Sequence, residues 1–427
     1  MPSLILKNSL KKLIFLMPAF FLFWPPGANA CTIVIAVWFI AHSGKTKNWT
    51  WAKKPWMIAA LSLWVYAIAI SSPLAVYPVV SLEILSRSFH YIVFGAALAY
   101  WILQDKTARK WFEYGVVAVT VFIVADCFYQ AHFGKDLFGF TKGSNRLTGP
   151  FGKSNFVPGI YVTKLIFIAL ASIFCTTKLK SVLTRTTLLL SSMVIVLVFL
   201  LLTGERTALL NFLLGCAIVL TGIFVIYPRL RVWLLSGSIA MILSGGIIAV
   251  SNPNIRERSF DTTYHTIADF PISPYGKITR TAIYIWENTP GTNIFTGVGL
   301  ENYSKIINHE DSNHIKETFD WIKQKTGEFF PISHSHNFYT EWLVGAGIIG
   351  LIGFITMVVL LLKDLIWHNI YSTKFTLSLF ATAVFMTSFW PLTFNMNYFG
   401  SKHAVIVWMT VGWALAVTMK KKNKNTS

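Results

Sequence analysis

The apolar residues of this chain fall in long blocks, and several blocks approach the roughly 20 residues that a helix needs to cross a bilayer. Hydrophobic residues make up 54% of the chain and charged residues only 13%, about half the charged share of a typical soluble domain. The blocks lack the periodic stripes of water-soluble elements. Backbone N–H and C=O groups in lipid must form hydrogen bonds within the chain, so the apolar blocks predict helices rather than open strands. We expect an all-α polytopic membrane protein.

The spacing of the apolar blocks predicts about twelve transmembrane helices. Their approximate centres are residues 18, 36, 64, 92, 121, 167, 194, 216, 240, 350, 383 and 410. Basic residues follow every second span, as in Lys53 and Lys54 after the second and Lys420 to Lys422 after the last. The positive-inside rule places these exits and both termini in the cytoplasm. The same distribution explains the net charge of +19, so we expect no nucleic-acid partner.

The predicted organisation has three parts. Residues 1–250 contain spans one to nine, with a smaller outer loop near residues 131–157. Residues 251–333 form a large outer loop that contains helices. Residues 334–427 contain the last three spans and a basic cytoplasmic tail.

The N-terminal segment allows two interpretations. A basic start, the apolar run of residues 13–24 and an A-x-A sequence at residues 28–30 resemble a cleaved signal peptide. Alternatively, a first span is joined by a tight turn at Pro25-Pro26-Gly27 to a second, and we favour this uncleaved hairpin. The four cysteines lie in or beside apolar blocks, and their spacing indicates neither a metal site nor a disulfide framework.

Two arginines are predicted at helix tops on the outer face. Arg206 follows Thr203-Gly204-Glu205 and begins an apolar helix with almost no loop before it. A charge at such a position usually marks a ligand site, although the arginine could also snorkel to headgroups or pair with Glu205. Arg280 is expected to open an amphipathic helix in the large loop. The helix dipole prefers an acid at that position, so Arg280 suggests an anionic partner.

A third segment carries histidines at the end of the large loop. His334, His336 and Asn337 precede the tenth span. A neutral imidazole can accept a proton from a hydroxyl near pH 7. The His-x-His pattern also occurs in zinc sites, but no Cys or acidic set completes one here, so we expect no metal. A structural hydrogen-bonding role is the remaining alternative.

The glycine-rich, basic stretch at residues 145–155 is the fourth segment, and it contains Arg146. It could offer a guanidinium group and backbone N–H groups to a phosphate, or be an ordinary flexible loop. Together, three arginines and a histidine are predicted on one membrane face. Guanidinium groups bind phosphate oxygens bidentately, so a lipid-linked diphosphate at the interface is the expected ligand.

These segments resemble the bacterial O-antigen ligase family. Arg206 to Leu210 matches the R-x3-L motif of that family, and His336 to Gly347 matches its H-x10-G motif. The stretch from Arg280 to Trp286, the large loop and the twelve-span plan are also similar. The resemblance covers the chain in layout but only short motifs in sequence. It extends to the wider superfamily of O-antigen polymerases and O-linked oligosaccharyltransferases.

The resemblance implies en bloc transfer of O-antigen polysaccharide from undecaprenyl pyrophosphate to a sugar hydroxyl of lipid A–core. The reaction would invert the anomeric centre without a metal or other cofactor. His336 would be the catalytic base, Arg206 and Arg280 would bind the pyrophosphate, and Arg146 would be a third contact. His334 and Asn337 would support His336 or the acceptor. The site would face the periplasm from the bacterial inner membrane.

Other functions remain open at this level. An O-antigen polymerase or an O-linked oligosaccharyltransferase would share the donor chemistry and differ in the acceptor. His334 and Glu341 are rival candidates for the base. A transporter is a different class, but internal repeats and mid-membrane ionisable residues are not evident, and Asp126 is expected near the outer interface.

Overall fold

The computed structural model describes residues 4–143, 146–152, 157–175, 181–308, 334–366, 375–393, 395 and 397–419. Parts of the predicted segments therefore lie outside the described residues, namely 144–145, 153–156, 309–333 and the basic tail from 420 onward. The described part is all-helical apart from isolated bridges between single residues.

The helices are, in chain order, α1 (Leu4–Phe23), α2 (Pro25–Thr46), α3 (Pro55–Tyr66, continued by a π-helical turn, Ala67–Ser71), α4 (Pro78–Tyr100), α5 (Lys106–Phe133), α6 (Pro158–Phe174), α7 (Val182–Thr203), α8 (Arg206–Ile226), α9 (Arg231–Ser251), α10 (Pro253–Arg256), α11 (Thr262–Ala268), α12 (Pro274–Asn288), α13 (Asn302–Asn308), α14 (Phe338–Ile366), α15 (Phe375–Phe389) and α16 (Ser401–Thr418). Each of the twelve predicted span centres lies inside one of them.

Six helices of the described part are long and apolar enough to cross a membrane: α2, α5, α7, α8, the stretch Pro228–Ser251 with α9, and α14. Helices α3, α6, α15 and α16 are apolar but shorter. Exposed side chains support a lipid environment for α9, where Val250 is 83% and Ile242 73% exposed. Water would penalise such an apolar face, whereas hydrocarbon would not.

The predicted turn at Pro25-Pro26-Gly27 is wrong in detail. Helix α1 ends at Phe23, and only Trp24 separates it from α2, whose first residue is Pro25. Proline is favoured at a first helical position, because its missing N–H would have no intrahelical partner there. The prolines therefore begin the second helix and do not form a loop.

The helices pack around buried aromatic residues. Helix α16 packs against α4 and α15, α14 packs against α3, and α6 packs against α5, α7, α8 and α15. Trp56, Trp342, Trp408 and Trp413 are completely or almost completely buried among these contacts. The central helices thus hold the starts of α6, α8 and α14 in fixed positions, and these starts carry the polar groups described below.

Candidate functional site

Glu205 joins the turn between α7 and α8 to the first turn of α6. Its two carboxylate oxygens accept the backbone N–H groups of Gly159, at 2.6 Å, and Ile160, at 2.9 Å. These amides belong to the start of α6, where no intrahelical acceptor is available. Burial raises the pKa of Glu205 to about 7, against the opposing influence of the two N–H donors and of Arg146 and Arg258. A residue beside Arg206 therefore caps a neighbouring helix.

Arg206 is the first residue of α8, as predicted, and it extends toward the large loop. Its Nη1 donates to the carbonyl oxygen of Thr262 at 3.2 Å and to Oγ1 of Thr266 at 3.0 Å. Its guanidinium carbon lies 5.8 Å from the centre of the Tyr275 ring. Helices α11 and α12 of the loop are thus held over the start of α8 by one side chain.

Arg258, which the sequence interpretation did not include, lies against the same turn. Its Nε donates to the carbonyl oxygen of Gly204 at 3.0 Å. Gly204 has a φ of 66°, and a Cβ there would lie 2.6 Å from Arg258 Nε. The backbone conformation favours glycine at this position, and any larger residue would displace the Arg258 side chain.

Arg146 completes a group of three cations. Burial is the main factor that lowers the pKa of Arg146; Glu205 and Tyr275 raise it, and Arg206 lowers it. The pKa of Arg258 is lowered by burial and then by both other arginines. The three guanidinium groups therefore lie close enough to influence one another, and the Glu205 carboxylate is close enough to act on both Arg146 and Arg258. We call Arg146, Arg206 and Arg258 the arginine cluster.

Arg280 does not open a helix, so that prediction is wrong. Helix α12 begins six residues earlier at Pro274, and the Ser273 side chain caps it by accepting the N–H of Gly276. Arg280 is exposed in the middle of the helix. It is also not among the charges that shift the pKa values of Arg146 and Arg258. The argument from the helix dipole no longer applies to it, and its role in phosphate binding stays a prediction.

The two histidines of the predicted site form a pair. The ring centres of His334 and His336 lie 3.9 Å apart. His336 has a φ of 55°, which is unusual for a residue other than glycine, and its carbonyl oxygen accepts the N–H of Asn395 at 2.6 Å. Burial lowers the pKa of His336, and burial together with His336 lowers that of His334 to about 4. Both rings are therefore neutral at pH 7.

Asn337 fixes the backbone beside this pair. Its Oδ1 accepts the N–H groups of Tyr339 and Thr340 and thereby caps α14. Its Nδ2 donates to the carbonyl oxygens of Pro391 and Thr393. These contacts give Asn337 a structural role, and its support of His336 or of the acceptor stays a prediction.

A small cleft opens beside His334. Its polar lining includes His334, Ser335, Ser304, Glu301 and Glu341. Burial raises the pKa of Glu301, and a hydrogen bond from Asn397 lowers it. Hydroxyl, carboxyl and imidazole groups of this kind can bind the hydroxyl groups of a sugar.

The arginine cluster and the histidine pair lie at the same end of the helix bundle. Asn211, five residues after Arg206 on α8, accepts a hydrogen bond from Oγ1 of Thr393 at 2.8 Å. The carbonyl oxygen of Thr393 in turn accepts one from Asn337 at 3.2 Å. Five residues correspond to roughly 7.5 Å along a helix. A short network therefore joins the start of α8 to the start of α14.

No protein family model and no curated protein sequence matches this chain. No group of three His, Cys, Asp or Glu side chains in the described part of the chain is arranged to hold a metal ion. All four cysteines are free. The chemistry that these residues offer is anion binding by the arginine cluster and proton acceptance by a neutral imidazole.

Proposed function

We propose that this chain is a glycosyltransferase of the O-antigen ligase type, with twelve spans and a site that faces the periplasm. The convergence of three guanidinium groups carries the proposal. Glu205, a carboxylate that acts on both Arg146 and Arg258, also accepts two backbone N–H groups of α6. Guanidinium groups that lie this close repel one another, and an anion that binds between them would relieve the repulsion.

The donor in this proposal is a glycan on undecaprenyl pyrophosphate. A diphosphate supplies several negative charges and oxygens in the bidentate arrangement that guanidinium groups recognise. Arg206 begins an apolar helix, which suits a ligand whose phosphates lie at headgroup level and whose tail lies in lipid. Arg280, exposed on α12, would contact the same donor from the large loop.

The acceptor would be a sugar hydroxyl of lipid A–core, bound near the cleft beside His334. The hydroxyl oxygen attacks the anomeric carbon of the donor while its proton moves to the neutral ring of His336. The bond between the anomeric carbon and the pyrophosphate oxygen breaks with inversion. Undecaprenyl pyrophosphate leaves, and the arginines stabilise its growing negative charge. No metal or other cofactor takes part.

Complementation of a deletion strain tests this function. We expect the wild-type gene to restore O-antigen on lipid A–core, and the variants His336→Ala and Arg206→Ala to insert in the membrane without restoring it. Lipopolysaccharide gels would show bare core and accumulated lipid-linked polymer in the deletion strain. A single repeat on the core would instead identify an O-antigen polymerase, and normal capped lipopolysaccharide in the deletion strain would refute both functions.

The orientation has a separate test. Two cysteine variants, Asn254→Cys and Lys106→Cys, report on the two ends of the bundle. Asn254 lies just after α9 in the large loop, and Lys106 is the first residue of α5 at the opposite end. Both positions are exposed. A membrane-impermeant maleimide should label the first variant in intact spheroplasts and the second only after lysis. The reverse pattern would place the site in the cytoplasm and exclude the proposed substrates.

A further inference from the structure

Lys164 is an ionisable residue inside the helix bundle that the proposed mechanism does not use. It lies in α6 and is only 2% exposed. Its Nζ lies 3.3 Å from the Thr387 carbonyl oxygen, 3.2 Å from Ser388 Oγ and 3.4 Å from Asn395 Oδ1. Three acceptors match the three N–H donors of an ammonium group.

Such a group is costly in an apolar bundle. Lys164 forms no ion pair with an acidic residue in the described part of the chain. Ionisable residues within membrane-embedded helices are rare and usually serve a function. Replacing the lysine by an apolar residue of similar volume would avoid the desolvation cost, so stability alone does not explain its presence.

Asn395 connects this lysine to His336. The side chain of Asn395 accepts from Lys164 and donates to the Ser388 carbonyl oxygen at 2.9 Å. Its backbone N–H donates to the carbonyl oxygen of His336 at 2.6 Å. A chain of hydrogen bonds therefore runs from Lys164 through Asn395 to the left-handed backbone of His336.

Helix α6 also contacts Glu205, the residue before Arg206, at its first turn. The N–H groups of Gly159 and Ile160 bind Glu205, which directly precedes Arg206. Lys164 follows Ile160 by four residues, roughly 6 Å along the helix axis. One helix thus forms hydrogen bonds with Glu205, which precedes Arg206, and with Asn395, which bonds to His336.

We propose that Lys164 is a positioning residue that, through Asn395, holds His336 at a fixed distance from the arginine cluster. The kinetic part of this proposal rests on the proposed function, whereas the hydrogen bonds from Lys164 to Asn395 and from Asn395 to His336 do not. Loss of the ammonium group should leave the donor site intact and displace the base. Because a displacement near 1 Å can lower a rate by about 100-fold, kcat should fall strongly while the donor KM changes little.

The test compares Lys164→Met, Lys164→Arg and Asn395→Ala with Lys363→Met as the control. Lys363 is an exposed lysine near the far end of α14. The first readout is the rate at which diethyl pyrocarbonate modifies His336, measured by peptide mass spectrometry, with the exposed His265 as the internal reference. The second readout is the pair of kcat and donor KM values in detergent-solubilised protein.

We expect Lys164→Met and Asn395→Ala to raise His336 modification severalfold without changing that of His265. Their kcat losses should not add in the double variant, and Lys164→Arg should recover part of the loss because it restores a donor. Unchanged His336 reactivity in folded Lys164→Met protein would overturn the proposal. Altered reactivity with no glycosyl transfer by the wild type would instead refute the proposed function and leave the positioning contact standing.

Discussion

Glu205 accepts the backbone N–H of Gly159 at 2.6 Å, although 46 residues separate them in sequence. The acid that precedes Arg206 therefore caps α6, whereas the residue before α6, Val157, offers no side-chain cap of its own. This contact fixes the start of α8 relative to α6. It links the arginine cluster to the helix that carries Lys164.

Glu205→Gln should lower both stability and activity. A glutamine offers one acceptor oxygen and one NH2 group, so either Gly159 or Ile160 loses its acceptor. An unsatisfied buried N–H costs about 1–3 kcal/mol, and the free energy of unfolding should fall by that amount. Thermal unfolding in detergent measures the loss. Glu257→Gln, an exposed acid in the same outer region, should change little, and equal stability of the two variants would contradict the capping role.

Arg258→Ala should weaken donor binding. The guanidinium group belongs to the arginine cluster, and charge-assisted hydrogen bonds are worth about 1.5–3 kcal/mol. The donor KM should therefore rise roughly tenfold or more. Arg256→Ala is the matched control, because Arg256 lies two residues away, is exposed and pairs with Asp261 at 3.7 Å. A donor KM that changes equally in both variants would exclude Arg258 from the anion site.

The pH dependence of transfer should reflect the buried histidines. Burial lowers the pKa of His336 below its usual 6.5, so the ring stays neutral as the pH falls through 6.5. The His336 ring becomes protonated, and can then no longer act as a base, only at a lower pH. The acid limb of the kcat profile should therefore have its midpoint below pH 6.5. A midpoint above that value would show that His336 is not the base or is not buried in the active state.

The helical blocks could be predicted because long apolar runs are a local property of the sequence. The start of α12 could have been predicted too, since Ser273-Pro274 is a capping residue followed by a favoured first proline. The prediction instead placed the start at Arg280, six residues too far along the chain.

Arg258 could not be predicted, because its role depends on a contact with Gly204, 54 residues earlier. No local pattern around Arg258 distinguishes it from a surface arginine such as Arg256. Lys164, in contrast, is visible in the sequence, because it is the one charged residue in the 17-residue helix α6. A lone charge in an apolar run is a reason to expect a function.

Gly347→Ala should destabilise the large loop and its attachment to the bundle. Gly347, the glycine of the H-x10-G motif, has φ 68° and ψ −168° and interrupts α14. A Cβ there would lie 2.2 Å from the backbone carbon of Phe295. The break lets α14 pair with the loop, since the N–H of Ile348 donates to the Ile294 carbonyl oxygen at 3.0 Å. Tyr66 reinforces this contact by donating to Phe295 at 3.0 Å.

Alanine at this position would have a strained backbone conformation, and its Cβ would collide with the backbone of Phe295. The free energy of unfolding should therefore fall by about 2–4 kcal/mol. Gly246→Ala is the control, because a Cβ at Gly246 in α9 meets nothing within 4 Å and alanine favours a helix. Thermal unfolding should separate the two variants. Limited proteolysis should cut Gly347→Ala within residues 289–300 faster than the wild type. If both alanine variants were equally stable and equally protected, the motif glycine would not be what attaches the loop to α14.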